Sequence, residues 1–298
     1  MSDALLWVWQ HLRDAPGHAM SHLCAGKCKS KARLDGKVAI ITGCNSGMGK
    51  ETAMELYKRG ARVIMACRNL EKAESAMCDI QQQTDGLKSV GVIFIKKLDL
   101  ASFTSVRECA ADIIGSEEHI HLLVNNAGDD KMYYGDITLE RSYTPYRAYI
   151  RSKLANVIFS AELSRRLKGT EVTTYSLHPG LVATDIFRHL EEMPDVSKFW
   201  KCIFLSRYSK LYYKSARCGA ETILHCCLDE NAGKETGLYY TDCKPRKLIK
   251  RARNQEEAIR LWEYSWIAVG LSKDYDPFVK GLTGLLKSSI KYSKESLP

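Results

Sequence analysis

Residues 38–50 read Val38-Ala39-Ile40-Ile41-Thr42-Gly43-Cys44-Asn45-Ser46-Gly47-Met48-Gly49-Lys50. A β-branched apolar run passes into a loop with three glycines, and helical periodicity follows from Met48 to Arg59. Glycines serve three ends in such a loop: a tight turn, close approach of backbone to a pyrophosphate, and close helix–strand packing. The phosphate then sits at a helix N-terminus, where free N–H groups and the helix dipole favour negative charge. The stretch therefore predicts a strand, a phosphate cradle and a helix in immediate succession.

The same alternation continues on the C-terminal side. Strand-like runs recur at Ala61 to Ala66, Gly91 to Leu98 and Ile120 to Val124, separated by helical patterns at Leu70 to Gln83 and Ser102 to Ile114. Further on, a helix is expected from about Arg147 to Leu167, a strand at Val172 to Leu177 and a helix at Ala216 to Leu228. A short strand at Gly237 to Thr241 and a helix from Glu256 to Trp266 complete the pattern. Apolar strands alternating with helices describe an α/β fold, a doubly wound, mostly parallel sheet. Residues 36–274 form the expected domain, with 1–35 as an N-terminal extension and 275–298 as an amphipathic tail around Phe278 to Leu286.

The 298 residues are 45% hydrophobic and 27% charged, an ordinary globular balance that excludes disordered and collagenous chains. A chain of this length can bury roughly 75% of its unfolded surface, so one large domain suffices. No apolar run approaches the ~20 residues of a membrane-spanning helix. Ala4 to Trp9 is too short for one and has no basic start or cleavage site to make it a signal peptide. Eleven cysteines, scattered and odd in number, suggest reduced intracellular thiols. His18, His22, Cys24 and Cys28 are four soft ligands close together, but their spacing matches none of the usual zinc patterns, so no metal is expected. The net charge of +9 gathers at Lys27 to Lys37 and at Lys244 to Arg253. A solvated face is the first reading of these runs and anionic lipid the second; no motif supports nucleic-acid recognition.

The spacing Thr-Gly-x₃-Gly-x-Gly resembles the short-chain dehydrogenase/reductase family, over roughly residues 36–270. Asp99-Leu100 looks like that family's adenine-contacting pair, Asn125-Asn126-Ala127-Gly128 like its motif after the fourth strand, and Pro179-Gly180 like the turn that holds the nicotinamide amide. Tyr149-x₃-Lys153 looks like its catalytic pair. Ala66-Cys67-Arg68-Asn69, Ser152 to Asn156, His178-Pro179-Gly180 and Leu261-Trp262-Glu263 are most similar to retinol dehydrogenases. The resemblance implies a Rossmann-type fold and an enzyme interconverting retinol and retinal, or similar lipophilic alcohols and carbonyls. It implies a cofactor site built from Gly43, Asn45, Ser46, Gly47, Met48, Gly49, Lys50, Arg68, Asp99, Leu100, Asn125, Ala127, Gly128, Tyr149, Lys153, Pro179, Gly180, Val182 and Thr184. It also implies a lid over a lipophilic substrate from Leu181 to Trp200, and attachment to the endoplasmic reticulum membrane or a cytoplasmic location.

An NAD enzyme needs an acidic residue near the end of the second strand for the ribose 2′-hydroxyl. Arg68 stands there and Lys50 follows the third cradle glycine, two cations suited to a 2′-phosphate, which predicts NADP. Tyr149 and Lys153 are four apart on a predicted helix and so lie on one face. A nearby ammonium favours the phenolate and makes a tyrosine a usable acid or base near neutrality.

One departure from the resemblance stands out. Only 20 residues, 129–148, separate Gly128 from Tyr149, where the family carries a long helix and a strand ending in a catalytic serine. Ser142 falls in a polar loop and Ser152 lies on the tyrosine's own helix, so neither replaces that serine. A central helix and strand are expected to be missing, which puts a family-type homodimer in doubt. Two readings follow: an active NADP-dependent oxidoreductase, or a shortened relative that only binds nucleotide or a partner. The sheet could be rewired, with the strand from 172–177 taking the vacant slot beside the fourth strand by a right-handed crossover.

Overall fold

A computed structural model describes residues 26–126, 145–180, 182, 214–248 and 250–271, with backbone alone for 145–150, 250 and 251. The first half follows the sequence pattern closely. Strand β1 (Val38–Thr42) leads to helix α1 (Gly47–Lys58), β2 (Arg62–Cys67), α2 (Leu70–Gln83), β3 (Val92–Lys97), α3 (Phe103–Ser116) and β4 (Leu122–Val124). The four strands form one parallel sheet in the order β3-β2-β1-β4. β1 is central and all five of its residues are buried, which is why it reads as an unbroken apolar run.

Alternate strand residues feed two cores. Ala39, Ile41, Val63 and Met65 face α1 and α2, where Leu56, Ala73 and Ile80 meet them. Val38, Ile40, Ile64 and Ala66 face the other way, toward Cys109 and Ile113 of α3. Leu34, ahead of β1, belongs to the first core. The Arg59 guanidinium donates to the carbonyls of Ser30 (2.9 Å) and Ala32 (3.0 Å), tying residues 30–34 to the end of α1.

The second half builds a separate sheet. Helix α4 (Pro145–Arg166) precedes β5 (Tyr175–His178); α5 (Ala216–Leu228), β6 (Leu238–Thr241), β7 (Lys244–Arg246) and α6 (Gln255–Ala268) follow. β5 pairs with β6 in parallel, and β6 with β7 in antiparallel. β7 was hidden in the sequence by its proline and basic residues. Its hairpin turns on Asp242 and Cys243, both at positive φ, as a two-residue loop matched to strand twist requires. α4 and α6 enclose a third core through Ala155, Ile158, Ala258 and Leu261. Beside it the Trp262 ring stacks on Phe159 and Trp266.

The rewired sheet is not adopted: β5 joins β6, and among the described residues β4 is the last strand of the first sheet. Leu123 on β4 remains 59% exposed and Ile120 45%, unusual for a strand beside the centre of a parallel sheet. Among the described residues, the two sheets meet chiefly through α5, which packs along α1.

Candidate active site

The cradle forms because β1 is buried on both faces and its chain must turn sharply out of the sheet at its carboxyl end. Gly43 and Gly47 both have positive φ in that turn. The Gly43 N–H donates to the Ala66 carbonyl at 2.9 Å, fixing the loop against the end of β2. Gly49 opens α1 and is buried; a Cβ there would lie 2.5 Å from Asn126 Nδ2, 2.9 Å from Cys44 Cα and 3.0 Å from the Gly43 carbonyl oxygen. The Asn126 amide in turn donates to the carbonyls of Thr42 (3.0 Å) and Gly43 (3.3 Å), so the motif after β4 braces the cradle from below.

Helix α1 is built to receive an anion. Asn69, Ser102, Ser215 and Asn254 cap α2, α3, α5 and α6 with their side chains, whereas Ser46 makes no such bond at α1. No acidic residue occupies the first turn of α1. Its first N–H groups therefore await an acceptor from outside the helix. Cys44 and Cys67 lie beneath the loop with their sulfurs 3.9 Å apart. The Cys44 thiol donates to the Ile41 carbonyl at 3.1 Å, and its contact with Cys67 holds that cysteine below its usual range.

Arg68 is exposed at the end of β2, its carbonyl accepting from Lys97 at 2.5 Å. Lys50 is ion-paired to Asp79 on α2, and the ammonium keeps that carboxyl below its usual range. Asp99 turns the chain into α3, its carboxylate accepting from the Ala101 N–H at 3.1 Å. Leu100 and Asn125 are exposed near the ends of β3 and β4. Pro179 and Gly180 follow β5, where the Gly180 N–H donates to His178 Nδ1 at 3.0 Å. The backbone of α4 carries Tyr149 and Lys153 one turn apart, and α4 packs on α6 and β5. The Tyr149 side chain, Ala127, Gly128, Thr184 and the expected lid beyond Val182 lie outside the described residues, as do His18, His22 and Cys24.

A model of the short chain dehydrogenase family matches residues 37–141. The chain is 35% identical to human retinol dehydrogenase 12, over 83% of this chain and 90% of that protein. It is 34% identical to mouse retinol dehydrogenase 11, over 85% and 92%. The chain belongs to the short-chain dehydrogenase family. This short-chain dehydrogenase is thus an oxidoreductase, and solved structures share its fold. An uncharacterised protein from Mycobacterium paratuberculosis superposes with TM-score 0.61 at 22% identity, covering 83% of this chain and 98% of that one. L-sorbose reductase from Gluconobacter frateurii, solved with NADPH and L-sorbose, gives 0.55 at 20% identity, covering 73% and 99%. The alignment to the mouse relative runs over 305 positions while using 85% of this 298-residue dehydrogenase, so that relative has residues with no counterpart here.

Sequence reasoning had no means of finding Asp79 as the partner of Lys50, since they lie on different helices 29 residues apart. It also missed Lys214 and Asp242, discussed below. The cradle itself yields a test. In Gly49→Ala the methyl meets backbone at Cys44 and Gly43, which cannot yield as a flexible side chain can. The variant should lose about 1–3 kcal/mol of stability by overpacking and weaken NADPH binding at least tenfold. Thermal melts and NADPH titration measure both; an unaltered Kd would show that the loop does not hold nucleotide.

Proposed function

We propose that this dehydrogenase uses NADP(H) to interconvert a lipophilic, retinoid-like alcohol and its carbonyl. The observation that carries the reading is the cradle: an uncapped helix N-terminus against a glycine with no room for a Cβ, at the carboxyl end of the central strand. When bound, the nicotinamide supplies hydride transfer. Gly47, Met48 and Gly49 offer N–H groups to the pyrophosphate, and Asp99 and Leu100 border the adenine side. Lys153 holds the ribose hydroxyls, and its ammonium favours the phenolate of Tyr149. Tyr149 then gives its phenolic proton to the carbonyl oxygen in reduction and takes it back in oxidation.

Arg68 selects the phosphorylated cofactor. Lys50 is already engaged by Asp79, whereas the Arg68 guanidinium makes no ion pair among the described residues. It is therefore the cation available for bidentate contact with a 2′-phosphate. Arg68→Asp should cost NADPH on the order of 1.5–3 kcal/mol, roughly a ten- to hundredfold loss, and leave NADH equal or better. Titration of both nucleotides against both proteins tests this, and equal wild-type affinities would sink the specificity reading.

The substrate class rests on similarity to retinol dehydrogenases and on the apolar residues Ile186, Phe187, Leu190, Met193, Phe199 and Trp200 of the expected lid. The basic runs beside residue 30 and in β7 would hold the protein to an anionic membrane surface from which such a substrate is drawn. Among the described residues no helix is long and apolar enough to cross a membrane. Purified protein with NADPH and all-trans-retinal should form retinol, detectable by chromatography. Failure with retinal and with other lipophilic aldehydes, despite nucleotide binding, would overturn the proposal in favour of a nucleotide-binding protein without turnover.

A further inference from the structure

The cradle belongs to one sheet and the Pro179-Gly180 turn to the other, so a single dinucleotide can reach both only if something fixes their separation. That junction is the start of α5. Lys214, immediately before the Ser215 cap, forms a parallel bridge with Val182. Its side chain is only 4% exposed, and its ammonium is ion-paired to Asp242 in the β6–β7 turn. Gly180 has a φ of +90°, and a Cβ built on it would lie 2.9 Å from both Lys214 Cε and Nζ. The lysine thus fills the space against the turn. One helical turn on, a Cβ at Gly219 would lie 2.7 Å from Met48 Sδ in the cradle helix and 2.7 Å from Val182 Cγ2. The first turn of α5 therefore touches the phosphate side and the nicotinamide side at once.

Asp242 is held as firmly as the lysine it faces. The adjacent Cys243 N–H donates to Thr222 Oγ1 (3.4 Å) and its thiol to the Glu221 carbonyl (3.4 Å), both on α5. The hairpin turn, with its two residues at positive φ, is pinned to the helix whose N-terminus Lys214 precedes. A buried ion pair of this kind adds little net stability, because desolvation offsets the attraction; it serves better to fix one arrangement among several.

We infer that Lys214, anchored by Asp242, is the positioning residue that sets the Pro179-Gly180 turn at the distance from the cradle that the nicotinamide half of the cofactor requires. This rests on the proposed NADP(H) site and extends it to a contact that touches neither substrate nor phosphate. The pair should contribute to binding only for ligands long enough to reach the turn.

The test compares NADPH with adenosine 2′,5′-bisphosphate, which shares the adenine and 2′-phosphate but has no nicotinamide. Both are titrated calorimetrically into full-length wild type, Lys214→Met and Asp242→Asn, with melting temperatures recorded alongside. Wild type should bind NADPH more tightly than the bisphosphate. Either variant should weaken NADPH about tenfold and shift the bisphosphate less than about twofold. Equal weakening of both ligands would mark a merely structural role and overturn the inference, as would unchanged NADPH affinity. If Lys214→Met fails to fold, the milder Asp242→Asn, which keeps the shape of the turn, still decides. Wild type that binds the two ligands equally well would instead sink the nicotinamide reading of the turn, and this inference with it.

Discussion

If the protein reduces all-trans-retinal, as proposed, Tyr149→Phe should lower that turnover by about 10²–10⁴-fold and leave NADPH binding nearly unchanged. The substitution removes one oxygen and the only proton it carries, and leaves the aromatic ring. A free tyrosine with pKa near ~10 is a poor acid or base at neutral pH, so the position of Lys153 decides whether the phenol works. α4 carries the two residues one helical turn apart along its backbone, the spacing at which an ammonium on the same face would favour the phenolate. Lys153→Met should therefore slow turnover as well, but also weaken cofactor binding, because the lysine is assigned to the ribose. Single-turnover rates at saturating NADPH separate the two effects. A Tyr149→Phe enzyme retaining half its rate would mean that another group delivers the proton.

The features legible in the sequence were those encoded locally. β1 and its cradle could be read because burial on both faces demands an unbroken apolar run, and a phosphate turn demands glycine. α2 and α5 were predicted to the residue, each beginning after an Asn or Ser that caps it. Features encoded between distant segments were not legible. Nothing in Tyr175–His178 itself says whether it pairs with β4 or β6, because a strand's own residues specify that it is buried, not beside which neighbour. Lys214 and Asp242 each look like surface charges until the fold brings them together across 28 residues. The charge of Lys50 and its place after the third cradle glycine point to the cofactor, and only the packing of α1 near α2 reveals Asp79 as its partner.

The same division governs the prediction with the widest structural consequence. β4 is three residues long and, among the described residues, ends its sheet, yet it lies directly beside the central strand β1. Its Leu123 and the preceding Ile120 stand exposed where a buried parallel sheet would cover them. The mouse relative carries residues absent from this chain, and we propose that they fall in the short interval between Gly128 and Tyr149. Inserting a helix-and-strand segment of family type after Gly128 should give β4 a neighbour and cover that face. Full burial of a large aliphatic side chain contributes about 1.5–3 kcal/mol, of which roughly half remains to be gained at each of these two, and about 1 kcal/mol shifts the melting temperature of a domain this size by roughly 2–4 °C. The insertion should thus raise the melting temperature by roughly 3–12 °C. The soluble fraction should rise too, because apolar patches left open draw partners, membranes or aggregation. Turnover should increase with them if the inserted strand brings a serine beside Tyr149. Differential scanning calorimetry and size-exclusion chromatography of the two proteins in parallel measure the first two effects. A chain that, as it stands, already melts cooperatively as a monodisperse dimer, and gains nothing from the insertion, would show that the two-sheet arrangement is complete in itself.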